Sequence, residues 1–400
     1  MSTFNDNNIT TSSSSSTDNH GAGTQGFNYL VVGAGLSGAV MARRAAEKGK
    51  KVLVVEKRDH IAGNCYDLIE ENGLRVSQYG PHFFHTKSDR VWNYVQPFAT
   101  WVPWEHRVCA YIKEYQKYVP VPVNITTVNE LFGLGIEDEA GMDAWLKTEQ
   151  IPCNNPQNSK DIALSRVGQR LYDLIFRCYS LKQWEKDPVD LDASVLARIP
   201  VRSNFDDRYF TDPYQALPKD GYTDFVANIL NHPNIETRIG IDYFAEGHSL
   251  SNFEKMFYTG PIDRFYAHVG MDPLEYRSVN FKWETKEVES VDTLLYPRSQ
   301  TNFPSTDYAH TRITEYKHIL QQKPKDDRRV TVLATEYSVS GGDPYYPVPN
   351  DRNRNLFLKY KELAEKEKDV VFVGRLASYK YFNMDEAISA ALECADAQGF

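Results

Sequence analysis

The chain has 400 residues, of which 41% are hydrophobic and 25% charged, and this length predicts two or three domains with a sizeable core. The net charge of −9 argues against a general nucleic-acid binder, which needs a basic surface. No apolar run approaches the ~20 residues of a membrane helix and the N-terminus has no apolar signal segment, so we expect a cytoplasmic protein with no membrane partner. The five cysteines form no C-x-x-C pair, and we predict no metal site.

The N-terminal part of the chain predicts a tail followed by a strand–helix–strand unit. Residues 1–26 are polar and Ser-rich, so we expect them to be disordered. An apolar strand at 28–32 precedes Gly33-Ala-Gly-Leu-Ser-Gly38, a helical pattern continues to 48, and 51–56 is a second apolar strand. Strands that are apolar throughout are typical of a parallel sheet covered on both faces.

The middle of the chain changes in pattern. From about 129 to 198 the spacing of apolar residues is helical, with helices predicted at 166–177 and 192–198. Enrichment in β-branched and aromatic residues predicts four strands around this block, at 108–112, 118–123, 277–281 and 330–335. A last buried strand is predicted at 370–374, and Asn383 is a candidate N-cap of the final helix.

The glycine motif lies between a strand and a helix, as a dinucleotide-binding G-x-G-x-x-G requires. Such glycines allow a tight turn and a close approach of the backbone to a pyrophosphate, which the helix N-terminus attracts. Glu56 ends the second strand, where its carboxylate would accept hydrogen bonds from ribose hydroxyls. NAD and FAD both remain open on these residues. The second glycine turn at Gly63-Asn64 and the late Gly374-Arg375 resemble segments of flavin amine-oxidase-like proteins, which favours FAD.

We therefore predict an α/β protein: a FAD-binding Rossmann-like domain with an inserted helical domain and an antiparallel β-sheet domain. The FAD-binding domain is expected to be discontinuous, with the segments 27–102, 218–265 and 342–400. The helical, substrate-binding domain is expected at 125–197. The sheet domain is expected to combine the segments 103–124, 198–217 and 266–341.

Five further segments narrow the function. They are Tyr79-Gly-Pro-His82-Phe-Phe-His85, the run 198–210, Tyr258-Thr259-Gly260-Pro, Gly342-Asp-Pro-Tyr-Tyr346 and the run 374–381. With these segments in this order, the chain resembles the short, bacterial type of the UDP-galactopyranose mutase family over about 27–395. The resemblance implies an isomerase that interconverts UDP-galactopyranose and UDP-galactofuranose with no net redox change. In that chemistry N5 of reduced FAD attacks the anomeric carbon.

The resemblance also implies partners and catalytic residues. It implies a homodimer and a reductant such as NAD(P)H or a flavin-reducing system. The departing diphosphate needs cationic donors, and the matching positions are Arg198 and Arg312. His82 and His85 are expected to face the flavin as further catalytic candidates, although a structural histidine is an equally good interpretation of His85.

Substrate contacts carry over from the family position by position. The positions besides the two arginines are Phe176, Tyr179, Ser180, Trp184, Tyr209, Asn302, Tyr346, Tyr381, His106 and Asn383. Three tyrosines, Tyr209, Tyr346 and Tyr381, would donate to the pyrophosphate, and Tyr179 would stack on uracil. Trp184 is expected on a mobile loop that closes over substrate. A role in the hydrophobic core is the strongest alternative for Trp184, and it is also the alternative for each of these tyrosines taken alone.

Cofactor contacts carry over in the same way. The implied positions are Gly33, Gly35, Leu36, Ser37, Gly38, Glu56, Lys57, Gly63, Asn64, Tyr79, His82, Thr259, Gly260, Gly374, Arg375, Tyr381, Asn383 and Met384. Three residues depart from the family: Asn383 stands where several members carry Asp, His106 where others carry Asn, and Ile175 replaces an aromatic residue next to the uridine. Two other functions remain alternatives, a flavin oxidase or dehydrogenase with net electron transfer, and a nucleotide-sugar sensor without catalysis.

Overall fold

The structure is a computed structural model that describes residues 26–246, 250 and 252–400 and the backbone of 9–11. Its strands, in chain order, are β1 (Ile9–Thr11), β2 (Tyr29–Val32), β3 (Val52–Glu56), β4 (Asp67–Ile69), β5 (Arg75–Ser77), β6 (Phe84–Thr86), β7 (Trp101–Pro103), β8 (Val108–Ile112), β9 (Lys117–Val121), β10 (Tyr214–Pro218), β11 (Ile235–Ile239), β12 (Lys255–Tyr258), β13 (Tyr276–Glu287), β14 (Gln300–Asn302), β15 (Arg312–Glu315), β16 (Val330–Ser340), β17 (Tyr346–Pro347) and β18 (Val370–Phe372).

The α-helices follow the same chain order. They are α1 (Leu36–Glu47), α2 (Asp89–Val95), α3 (Ile125–Phe132), α4 (Glu139–Glu149), α5 (Ser159–Leu171), α6 (Cys178–Trp184), α7 (Ser194–Ala197), α8 (Gly221–Leu230), α9 (Tyr243–Glu246), α10 (Ile262–Phe265), α11 (Asp351–Ala364) and α12 (Met384–Ala397). None of the helices in the described part of the chain has the length and apolar character needed to span a membrane.

A six-stranded parallel sheet organises the dinucleotide-binding part, with the strand order β1-β11-β3-β2-β12-β18. Alternate side chains of β2 leave the sheet on opposite faces: Val31 packs in the main core with α1, α8 and α12, and Leu30 packs in a smaller core on the other face. Both faces are covered, so β2 and β3 are apolar apart from Glu56 at the end of β3. The predicted strand–helix–strand unit and the α/β class are confirmed.

Strand β1 lies inside the segment that the sequence predicts to be disordered. Its residues Ile9–Thr11 pair in parallel with 237–239 of β11. The prediction was wrong for these three residues, because β11 would otherwise end the sheet with unpaired backbone groups, and an added strand pairs them. Residues 1–8 and 12–25 lie outside the described part of the chain.

A seven-stranded sheet, in the order β17-β13-β16-β15-β14-β8-β9, forms the second layer. The four strands predicted around the helical block are present as β8, β9, β13 and β16. All pairs in this sheet are antiparallel except β14 with β8, which is parallel. The predicted antiparallel sheet is present, with this pair as the exception, because the chain passes through the whole helical block between the two strands and returns in the same direction.

The helical block packs on one side of this sheet and shares a core with β8 and β9. The predicted helix at 166–177 is interrupted: Gly168 has non-helical dihedral angles (φ 74°, ψ −178°), α5 ends at Leu171, and Tyr172–Arg177 is a π-helix. A π-helix redirects the side chains that follow it. Here it leads directly into α6, which carries Tyr179 and Trp184.

A third, small sheet with the order β6-β10-β7 joins the two larger parts. The expected domain boundary between 217 and 218 falls inside β10, whose partners β6 and β7 belong, except for Pro103, to the expected FAD-binding segment 27–102. Likewise β17, inside the expected segment 342–400, pairs with β13 of the seven-stranded sheet. Residues 214–217 of the expected sheet segment therefore pair with strands of the expected FAD-binding segment, and β17 of the expected FAD-binding segment pairs with the seven-stranded sheet.

Candidate active site

A deep cavity of about 1020 Å³ lies between the parallel sheet, the helical block and the seven-stranded sheet. Its volume is at the upper end of the range for small-molecule sites, roughly 300–1,000 Å³. Every residue that the sequence analysis assigned to cofactor, substrate or catalysis lines this cavity. The structure therefore brings all of these positions together, while their individual roles remain predictions.

The carboxyl ends of β2, β3 and β12 form one end of the cavity, where open parallel sheets bind their ligands. Gly33, just after β2, has φ 106°, and a Cβ there would lie 2.1 Å from Thr259 Oγ1, so this turn requires glycine. The carboxylate of Glu56 accepts the N–H of Ala34 at 2.9 Å and that of Arg58 at 3.0 Å. Its remaining lone pairs are available to ribose hydroxyls.

The first turn of α1 also opens to this end of the cavity. Its residues Leu36, Ser37 and Gly38 line the cavity, and no acidic side chain lies in that turn. The second glycine turn is joined to the first, because Ala62 donates its N–H to the Ala34 carbonyl at 2.9 Å. Free N–H groups and a positive helix end attract phosphate, so this geometry fits the pyrophosphate of a dinucleotide.

Two arginines and two tyrosines stack in the middle of the cavity. The Tyr346 and Tyr381 rings are 5.2 Å apart and nearly parallel. The guanidinium of Arg198 lies 4.1 Å from the Tyr381 ring, and that of Arg375 lies 4.8 Å from Tyr346 and 4.6 Å from Tyr381. Burial alone would raise the pKa of Tyr381, but Arg198 and Arg375 together lower it.

These two arginines have no carboxylate partner. Neither Arg198 nor Arg375 forms an ion pair within the described part of the chain, and Nε and Nη2 of Arg375 are buried without a hydrogen-bond acceptor. Arg198 is exposed to the cavity. Buried cationic donors without partners are costly. Anionic oxygens from a ligand would satisfy them, so this part of the cavity fits a phosphate group.

Arg312 is the third arginine of the cavity and is paired. Its Nε lies 2.6 Å from Oε2 of Glu336, a fully buried carboxylate opposite it in the β15–β16 pair. Burial alone would lower the pKa of Arg312, but Glu336 raises it well above its usual value. Sequence reasoning missed Glu336. Its one signal was a carboxylate directly after the apolar strand predicted at 330–335.

The two histidines of the segment 79–86 differ in their surroundings. Nδ1 of His82 lies 2.9 Å from the Gly80 carbonyl, so it donates and leaves Nε2 as an acceptor. Burial lowers the pKa of His82 to about 4, and the ring is neutral near pH 7. His85 pairs through Nδ1 with Asp212 at 2.8 Å and stacks on Phe210 at 3.6 Å. Sequence reasoning missed Asp212, which is far from His85 in the chain.

The end of the cavity nearest the helical block carries Phe176, Tyr179, Ser180 and Trp184. Burial raises the pKa of Tyr179, which therefore stays a neutral donor. Trp184 is buried, belongs to the core of the helical block and also meets Tyr346 edge-on at 6.4 Å. It is both a core residue and a cavity residue. The predicted mobility of its segment remains a prediction.

Lys182 ties this segment to the loop between β14 and β15. The three N–H groups of its ammonium are shared among four carbonyls within hydrogen-bonding distance, those of Ser305 at 2.9 Å, Tyr308 at 3.0 Å, His310 at 2.8 Å and Phe303. Burial lowers the pKa of Lys182 to about 8. The loop is flanked by Asn302 and Arg312, whereas Lys182 lies between Tyr179 and Trp184. No sequence signal marked this lysine.

The last helix begins at the cavity. Asn383 is the N-cap of α12, and its N–H donates to the Glu386 carboxylate at 2.7 Å. Asn383 and Met384 line the cavity, as does Asp385, whose Oδ1 is buried without a partner. The described residues contain no group of three or more His, Cys, Asp or Glu side chains that could hold a metal ion.

Comparisons with known proteins agree with this geometry. The sequence model of the family described as UDP-galactopyranose mutase matches residues 174–381, and that of NAD(P)-binding Rossmann-like domains matches 31–98. A probable UDP-galactopyranose mutase of Klebsiella pneumoniae is 36% identical, over 92% of this chain and 94% of its own length. A dTDP-fucopyranose mutase of Escherichia coli is also 36% identical, over 92% and 97%.

A solved structure is similar over nearly the whole chain. The crystal structure of a reduced UDP-galactopyranose mutase superimposes with a TM-score of 0.72 at 16% identity, over 93% of this chain and 94% of the other. The fold and the cavity define a Rossmann-like enzyme that binds a dinucleotide cofactor of the flavin type. The chain belongs to the UDP-galactopyranose mutase family, whose members are isomerases.

Proposed function

We propose that this protein interconverts UDP-galactopyranose and UDP-galactofuranose, with FAD as the cofactor and no net redox change. The observation that carries the proposal is a pair of arginines, Arg198 and Arg375, that have no carboxylate partner in the described part of the chain. They stack on Tyr381 and Tyr346 between the dinucleotide end and the helical end of one cavity. A cavity of about 1020 Å³ has room for a dinucleotide and a nucleotide sugar side by side.

The residues present fit FAD. Gly33 and the first turn of α1 would hold the pyrophosphate, and Glu56 would accept ribose hydroxyls. The unsatisfied Nε and Nη2 of Arg375 point to an anionic or carbonyl oxygen at the flavin or diphosphate. When bound and reduced, the flavin would supply N5 as the nucleophile for the anomeric carbon of the sugar.

The chain itself would hold the diphosphate while its bond to the sugar is broken. Arg198 has no counter-charge, so a diphosphate would be its natural partner, and Tyr381 and Tyr346 would add neutral donors beside it. Arg312 lies at the same cavity with its charge already compensated by Glu336. Preorganised donors of this kind stabilise a leaving group without reorganising.

The nucleotide base would lie at the helical end. Tyr179 is a neutral ring at the cavity wall and would stack on uracil, with Phe176 and Ser180 from the same turn of the chain beside it. Oδ1 of Asn302 is buried without a partner and would accept an N–H of the base. Trp184 at the end of α6 would close the cavity toward the sugar and exclude water.

The histidines would act on protons near the sugar. His82 is neutral and presents Nε2, a lone pair that can accept a proton or a hydrogen bond. His85 is held by Asp212 through Nδ1, so its Nε2 is also the free atom. Both residues line the cavity, and His85 would be positioned by its stack on Phe210.

The proposal is tested by anaerobic incubation of the dithionite-reduced protein with UDP-galactofuranose, followed by chromatography. UDP-galactopyranose should form over many turnovers after one reduction, and the oxidised protein should form little. In a parallel assay with oxygen present, consumption of one oxygen per product would instead indicate a flavin oxidase. Binding of the nucleotide sugar without conversion in either assay would indicate a sensor. Because one relative is a dTDP-fucopyranose mutase, dTDP-fucopyranose is assayed in parallel to define the accepted nucleotide.

Three further properties belong to the same proposal. We infer a homodimer, a cytoplasmic location and reduction by NAD(P)H or a flavin-reducing system, in line with the family resemblance. Light scattering of the purified protein tests the dimer, with a single species near the chain mass of 45.8 kDa as the opposing result. Anaerobic bleaching of the flavin absorbance by NADH or NADPH tests the reductant.

A further inference from the structure

A chain of side chains runs from Glu336 through Arg312 and Gln300 to His106. Gln300 in β14 and His106 before β8 are both buried. The Gln300 amide satisfies both neighbours in one orientation, assigned from the hydrogen-bond network: its NH2 lies 3.1 Å from His106 Nε2, and its oxygen lies 2.8 Å from Arg312 Nη1. The charged, always protonated Arg312 thus decides which way the amide faces.

The amide in turn decides where His106 carries its hydrogen. Burial lowers the pKa of His106 to about 3, so the ring is neutral near pH 7 and has one N–H. Nε2 accepts from Gln300, so the hydrogen is on Nδ1. Nδ1 is buried and has no acceptor in the described part of the chain, and His106 lines the cavity.

The ring cannot easily turn to change this arrangement. Phe83 stacks on His106 with centroids 3.6 Å apart and planes 14° apart. The His106 carbonyl accepts the N–H of Tyr209 at 2.7 Å, which holds the backbone. A rigid, buried N–H without a partner is unfavourable until a ligand supplies an oxygen.

We propose that Gln300 is a positioning residue that holds His106 as the Nδ1–H tautomer, so that the cavity presents a neutral donor to an oxygen acceptor of the bound sugar or flavin. The inference rests on the proposed function for the identity of that ligand. It adds a connection between two parts of the proposed site: Arg312, proposed to face the diphosphate, orients Gln300, and Gln300 fixes the N–H of His106 beside the sugar. The two possible acceptors, a hexose hydroxyl and a flavin carbonyl, share the same chemistry.

The tautomer is measured first, on the ¹⁵N-histidine-labelled holoprotein without substrate, with His106 assigned from the spectrum of His106→Asn. Nitrogen shifts should show a hydrogen on Nδ1 and a bare Nε2, which needs no turnover to be observed. Gln300→Met should lose this single tautomer, whereas Gln116→Met, at an exposed turn, should keep it. A hydrogen on Nε2 in the unmodified protein overturns the proposal, whether or not the protein is a mutase.

Binding and kinetics then identify the acceptor. His106→Phe keeps the stack and removes the donor, and kcat/KM should fall roughly 10- to 100-fold. His106→Asn restores an N–H and should recover at least about 10-fold of that loss. For a sugar hydroxyl, His106→Phe weakens UDP-galactose but not UDP. For a flavin carbonyl, it shifts the flavin reduction potential and leaves both affinities unchanged. If His106→Phe changes neither the affinity for UDP-galactose nor the flavin reduction potential, the proposal is overturned.

Discussion

The guanidinium of Arg198 lies 4.1 Å from the centre of the Tyr381 ring, on which Arg375 also lies, at 4.6 Å. Both cations therefore lie against the same ring, and neither has a carboxylate partner in the described part of the chain. Like charges held close together in a low-dielectric cavity repel each other. A diphosphate would relieve this repulsion, which explains why the aromatic ring and the two arginines belong to one site.

Removal of either substrate-facing arginine should abolish most turnover. Arg198→Ala and Arg312→Ala should each lower kcat about 10²- to 10³-fold, because under the proposed function each would remove a charged donor to the leaving diphosphate. Steady-state assays of the reduced protein measure this, and the flavin absorbance should show that FAD stays bound. Arg328→Ala, on the surface, is the matched control. Unchanged turnover in both cavity variants would remove these arginines from the mechanism.

Neutralising Glu336 should make the free energy of unfolding depend more strongly on bound UDP. Glu336→Gln leaves the partly exposed guanidinium of Arg312 without its counter-charge, so the free energy of unfolding should fall by about 3 kcal/mol without UDP. UDP should restore more stability in this variant than in the parent protein, because its diphosphate replaces the missing charge. Thermal unfolding with and without UDP measures both effects. Glu287→Gln, exposed at the end of β13, serves for comparison, and an equal UDP effect in both proteins would contradict the prediction.

Lys182 should matter for nucleotide binding more than for the chemical step. Lys182→Met removes the ammonium whose hydrogen bonds are accepted by four backbone carbonyls of the loop 303–310. These hydrogen bonds then no longer hold α6 to that loop. We expect KM for the nucleotide sugar to rise about 10-fold and stability to fall by about 2 kcal/mol, with a smaller change in kcat. Lys186→Met loses only a partly exposed ion pair with Glu275 and should change little. An unchanged KM in Lys182→Met would show that the hydrogen bonds between Lys182 and the loop 303–310 do not support nucleotide binding.

Acidification should destabilise the protein through its buried histidines. His82 has a pKa of about 4 when folded and 6.5 in an unfolded chain, so between these values the unfolded chain binds the proton and the folded protein does not. The free energy of unfolding should therefore fall as the pH is lowered from about 6.5 to about 4, by up to about 3 kcal/mol for this residue. Urea unfolding of the holoprotein at several pH values tests this. His82→Asn should flatten the slope, and the exposed His268→Asn should not.

The sequence by itself determined which residues form the dinucleotide-binding end of the cavity and which other residues line it. The strand–glycine turn–helix pattern around Gly33 depends on neighbouring residues, so local rules predict it, and Glu56 follows from the end of the second strand. The motifs that resemble the mutase family placed every proposed contact residue in one cavity. The strands of the second sheet were also predicted, because their β-branched and aromatic composition is a local signal.

Only the tertiary structure decided which charges and hydrogens these residues carry. Arg312 meets Glu336 because β15 and β16 pair in that register, and Gln300 reaches His106 because β14 joins β8 in parallel. The partners of His85 and Lys182, which are Asp212 and four backbone carbonyls, also lie more than a hundred residues away in the chain. A pKa or a tautomer depends on groups brought within hydrogen-bonding distance, and residues far apart in sequence become such neighbours only when the sheets and helices have packed.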